Sequence, residues 1–81
     1  MVIMEIYLSL IQEWENCSLK SEEIKVFKTE ELADRYQKDY LLDYIQNHEN
    51  SSWNSEYPNV INIGFQHFIR LDVVKEEIIN E

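Results

Sequence analysis

From Ile61 to Val73 the chain alternates. Every second residue is Ile61, Ile63, Phe65, His67, Ile69, Leu71 and Val73; between them stand Asn62, Gly64, Gln66, Phe68, Arg70 and Asp72. Successive side chains of a strand point to opposite sides of its sheet, so a period of two means one buried face and one wet face. No other stretch limits the fold as much. It reads as a central strand, or a bent pair of strands, on which the remaining elements pack. The pattern speaks to architecture and not to chemistry.

The same period appears at the start. Met4, Ile6, Leu8, Leu10 and Trp14 share one face of a strand covering about Ile3 to Trp14, with Gln12 the polar exception. That row is assigned to the core. The opposite face carries Ile3, Glu5, Tyr7, Ser9, Ile11, Glu13 and Glu15. Residues 16–21 are polar and turn-prone, and a short second strand from Glu22 to Phe27 would turn Ile24 and Val26 inward.

The pattern then changes. Thr29 is an expected N-cap, and Glu30 and Glu31 place negative charge where a helix N-terminus favours it. Leu32, Ala33, Tyr36, Tyr40 and Tyr44 recur at steps of three and four, widened by Leu41 and Ile45, which predicts a helix from Glu30 to about Asn47. Residues 47–59 follow as a long polar loop, with Pro58 disfavouring helix at Tyr57. The tail from Val73 fits two readings, a short C-terminal helix capped by Asp72 or a frayed strand end. The expected fold is therefore α+β, a single compact domain over residues 1–81. Its small antiparallel sheet, of order β-β-α-β, has one helix packed on one face.

Charge bounds the partners. Sixteen acids against seven bases give a net charge of −9. Such a chain is repelled by nucleic acid and by anionic membranes and attracted to basic protein surfaces. Cys17 is the single cysteine, so no intrachain disulfide can form, which favours a reducing compartment such as the cytoplasm. The N-terminal segment lacks a basic region and Glu5 interrupts its apolar run, unlike a signal peptide or a membrane span. Asn16-Cys17-Ser18 and Asn50-Ser51-Ser52 match the glycosylation pattern, and without a secretion signal both read as chance.

Catalytic templates are missing. Gly64 is the only glycine, which leaves no phosphate loop, and one cysteine cannot make a zinc knuckle. The spacing of Cys17, His48 and His67 supports neither a nucleophile–base pair nor a metal site. His67 falls in the apolar row of the last strand, as a satisfied and partly buried side chain. The chain is thus expected to be no enzyme and to need no metal or cofactor.

Three surfaces remain as candidates. The first is the outer sheet face, expected to show Ile3, Tyr7, Ile11, Phe27, Phe68 and Val74 among Glu5, Asn62, Gln66 and Arg70. Tyr7, Ile11 and Phe68 would there support pairing of two copies. The second is the loop with Trp53, Glu56 and Tyr57, where exposed rings make binding anchors. The third is acid geometry: Asp39 and Asp43 are four apart on the helix, Glu30, Glu31 and Asp34 crowd its first turn, and Glu76, Glu77 and Glu81 end the chain. Carboxylates on successive helical turns stand about 6 Å apart, a spacing comparable to that of phosphates along a strand.

In size, charge and lack of catalytic motifs, and in carboxylates such as Asp34, Asp39, Asp43, Glu76 and Glu77, the chain resembles small acidic inhibitors encoded by phages and mobile elements. Anti-CRISPR proteins and DNA mimics are the examples, and bacterial immunity proteins and antitoxins look similar by the same measures. The resemblance implies binding without catalysis, usually to occlude a basic site on a nucleic-acid-processing protein in the host cytoplasm. The alternative is a self-associating structural or adaptor protein that pairs through its outer sheet face as a homodimer.

Overall fold

A computed structural model describes residues 2–49, 51–54, 57 and 59–80. Asn50, Glu56, Pro58 and Glu81, each used in the reading above, lie outside the described residues. Strands β1 (Val2–Glu15) and β2 (Ser18–Phe27) come first, followed by helix α1 (Glu30–Asn47). Strands β3 (Ser52–Trp53), β4 (Val60–Gly64) and β5 (His67–Asn80) complete the chain. All five strands join one antiparallel sheet in the order β2-β1-β5-β4-β3. This corrects the expected α+β fold of order β-β-α-β. The chain is mostly antiparallel sheet, with α1 set between β2 and β3.

Part of the expected loop over residues 47–59 is strand β3, which pairs Ser52 with Asn62 and Trp53 with Ile61. The correction has two further causes. The alternating run is split by a turn at Phe65 and Gln66, where Gln66 takes φ 53° and Phe65 is 90% exposed. The turn leaves period two intact on both sides, so β4 and β5 read as one strand. The tail, second, is strand throughout and not helix. Its spacing suits either, but β1 needs a partner. Ile3 faces Ile79 and Met4 faces Ile78 in a ladder that runs the whole length of both strands. A terminal helix would have left residues 2–6 of β1 without a neighbour on either edge, their backbone donors and acceptors unpaired.

The β1–β2 connection is two residues long. Asn16 and Cys17 both take left-handed dihedrals (φ 52° and 66°), the geometry that suits the right-handed twist of a hairpin. The Asn16 amide donates to the Gln66 carbonyl at 2.9 Å, tying this turn to the one between β4 and β5.

Helix α1 occupies the span expected from its periodicity. Thr29 caps it, its hydroxyl oxygen accepting from the Leu32 amide at 3.2 Å. Replacing Thr29 with Ala is expected to lower stability by about 0.5–2 kcal/mol, read as a shift of the urea midpoint. An unchanged midpoint would show that water replaces the cap.

The core lies between α1 and one side of the sheet. Ile11, Leu41, Ile61, Ile69 and Leu71 are buried together, with Tyr36, Tyr40, Tyr44, Ile45 and Ile63 packed round them. The register fixes which residues share that side, because Ile11 faces Leu71 and Ile61 faces Ile69. Ser9 and Ala33 are fully buried, and small side chains let backbones approach closely. Gln37 stitches the layers, donating from Nε2 to Ser9 Oγ (3.1 Å) and to the Asp72 carbonyl (2.6 Å).

The faces of β1 and β2 are thus the reverse of those expected. Ile3, Tyr7, Ile11 and, on β2, Phe27 lie on the helix side; Met4, Ile6, Leu8, Leu10 and Trp14 lie on the other side with Ile24 and Val26. The physical reason is in the partners. β5 and β4 have one strongly apolar row each, Ile69-Leu71-Val73 and Ile61-Ile63, and the register aligns these with Ile11 and Ser9. The helix follows the summed surface of four strands, not the most apolar face of one.

Candidate functional site

The two sides of the sheet differ in character. On the helix side, carboxylates that lie against the packed layer have partners. His67 Nε2 lies 2.7 Å from Glu13 Oε2 and its Nδ1 lies 3.4 Å from Glu15 Oε2. The Tyr36 hydroxyl donates to Glu23, and that hydrogen bond, followed by burial, holds the Tyr36 hydroxyl above its ordinary pKa. Burial is the main cause of the raised pKa of Tyr40 and of Tyr44. His67 is therefore a half-buried, partnered residue of the sheet.

The outer surface of α1 is acidic. Five acids and two bases stand between Glu30 and Asn47, and all seven are exposed. Asp39 and Asp43 sit one turn apart on the solvent pole. At 3.6 residues per turn Asp34 lies about 140° round from Asp39. Of the expected contact acids, Asp39 and Asp43 thus form a pair and Asp34 stands apart from it.

Asp34 joins a different feature. A groove of about 290 Å³ runs between α1 and the β3–β4 edge, lined by Asp34, Gln37, Lys38, Leu41, Leu42, Trp53, Asn59 and Leu71. Trp53 stands on β3 opposite Ile61, 54% exposed, and Leu42 faces it from the helix. Two of the sequence-derived residues, Asp34 and Trp53, thus meet at one site. Tyr57 is 60% exposed, its amide accepted by Asn54 Oδ1 at 3.0 Å, and Glu56 lies outside the described residues.

The residues expected to pair two copies are separated. Ile11 is 5% exposed beneath α1, and Tyr7 lies on the same side, half-buried. Phe68 alone of the three lies on the open side. That side holds an apolar field, interrupted on β5 by Asp72 and Glu76, of which the expected site residues include Phe68 alone. Met4, Ile6, Leu8 and Leu10 run down its centre on β1, flanked by Ile24 and Val26 on β2 and by Val74 and Ile78 on β5. Met4, Ile24, Val26 and Ile78 are each 44–61% exposed. The signal was present in β1, whose two rows, Met4-Ile6-Leu8-Leu10 and Ile3-Tyr7-Ile11, are both apolar, while one helix covers one face.

Among the described residues no three His, Cys, Asp or Glu side chains are grouped to hold a metal ion. No helix among them is long and apolar enough to cross a membrane. The chain matches no protein family, no curated protein and no solved structure in comparisons with each.

Proposed function

We propose that this chain is a non-catalytic binding protein that occupies a basic protein surface, such as the groove of a nucleic-acid-processing protein. The observation that carries the reading is the helix surface. Asp39 and Asp43 project from it one turn apart, and beside it the Trp53 groove offers an apolar anchor next to the Asp34 carboxylate. Charge brings a basic partner in and sets its register, while a ring in a groove supplies contact area. The expected contact residues are Asp34, Asp39, Asp43, Trp53 and Tyr57. Glu56 belongs to the same proposal by sequence.

The test is retention of nucleic-acid-binding proteins on the immobilised chain at two salt concentrations, with identification by mass spectrometry. At roughly 0.1 M salt the Debye length is about 10 Å, and at roughly 1 M it is about 3 Å, so a charge-led complex should form in the first and release in the second. The triple variant Asp34→Asn, Asp39→Asn, Asp43→Asn is expected to lose the retained protein at low salt. Retention that ignores both salt and the three substitutions would sink the charge-led reading.

A further inference from the structure

We infer that the open face of the sheet is the contact surface for a second copy of this chain, so that two sheets stack across a two-fold axis running along β1. The face carries Met4, Leu8, Ile24, Val26 and Ile78 beside Glu22, Arg70, Asp72 and Glu76, and nothing else in the described chain covers it. Strands about 4.8 Å apart with a rise of about 3.3 Å per residue give β1, β2 and β5 together a face of roughly 600 Å². That exceeds a crystal-packing contact and approaches the roughly 800 Å² per partner of a standard interface.

The occupant follows from the register. Gln12 is paired with Glu22 on one side and Arg70 on the other, so these opposite charges stand at equal distances either side of β1. Leu8 is flanked in the same way by Val26 and Val74. A two-fold axis along β1 exchanges the flanks. It sets Glu22 of one copy against Arg70 of the other, twice, and valine against valine in the row of Leu8. In the row between them, Leu10 is flanked by Ile24 and by Asp72, whose carboxylate Arg70 Nε already holds at 2.9 Å. The match across the axis therefore rests on the rows of Leu8 and Gln12, and a match of a surface with itself is what an isologous dimer requires. The surplus of acid on α1 lies on the opposite side of the sheet. The dimer therefore leaves both acidic helices outward, and the proposal is independent of the helix reading.

Sedimentation equilibrium of the purified chain across roughly 1–100 μM, the range in which interfaces of this size associate, should give twice the chain mass of 9.8 kDa. Leu8→Lys should give the monomer. If that chain fails to fold by circular dichroism, the surface charge swap decides. Glu22→Arg should weaken the dimer at least about tenfold, because symmetry repeats each pair. Adding Arg70→Glu to it should restore the dimer to within about threefold of the natural chain, as a direct pair demands. A natural chain that stays at the monomer mass overturns the proposal and leaves the face to an unlike partner. A dimer indifferent to Leu8→Lys, or a double variant no tighter than Glu22→Arg alone, overturns the arrangement. Mass that keeps rising beyond two copies overturns it in favour of edge-to-edge pairing.

Discussion

Replacing Ile61 with Ala is expected to leave the chain mostly unfolded at room temperature. Ile61 is fully buried, pairs with Ile69 across the β4–β5 ladder and belongs to the cluster beneath α1. Truncating such a side chain costs about 2–5 kcal/mol, the lost transfer energy plus the cavity left behind. A core in a chain this short seldom supplies more than about 3–5 kcal/mol in total, so the loss consumes most of the stability. Phe65, two turns of the same alternation further on, provides the control. It is 90% exposed in the hairpin turn, and Phe65→Ala should shift stability by no more than about 0.5 kcal/mol. Urea unfolding at one fixed protein concentration reads both, through the midpoint at constant slope. Similar midpoints for the two variants would mean that the core is not where the structure puts it.

That contrast shows how much of the fold could be read from the residues. Local signals were legible. Thr29, the acidic first turn and the Tyr36-Tyr40-Tyr44 stripe define α1, and these depend on neighbours within four residues. Period two was equally legible in β1 and in the run from Ile61. What alternation lacks is a sign. It says that a strand has two faces, and when both are apolar, as in β1, only the partner strands decide which one is covered. The register of β5 against β1 is a long-range fact, set by Ile69, Leu71 and Val73 lining up with Glu13, Ile11 and Ser9. The tail stayed open between helix and strand for the same reason, since Val73, Val74, Ile78 and Ile79 suit either until Met4 and Ile3 are placed beside them. At the candidate site, Asp34 and Trp53 were found by residue type. Their meeting in one groove depends on how the helix lies over β1 and β5 with β3 at the sheet edge beside it, which no local pattern encodes. The helix, by contrast, already showed Asp34 off the line of Asp39 and Asp43.

The face assignment is open to a direct test with one change of charge at two nearby positions. Ile11→Asp is expected to abolish folding, whereas Leu8→Asp is expected to keep the helix signal and a cooperative transition. Both variants raise the net charge to −10, from the −9 of the natural chain less one. Any difference therefore comes from position. Ile11 is 5% exposed under α1, and its ladder partner on β2 is Glu23, so a carboxylate there would be buried and faced by another carboxylate. An uncompensated buried charge costs about 3–5 kcal/mol, which is the whole of the stability argued above. Leu8 points to the open side between Val26 and Val74, where a carboxylate can reach water once the chain is monomeric. Had the helix covered the more apolar face of β1, the outcomes would be exchanged. Circular dichroism at low protein concentration separates the two cases, and a folded Ile11→Asp chain beside an unfolded Leu8→Asp chain would reverse every surface described for this sheet.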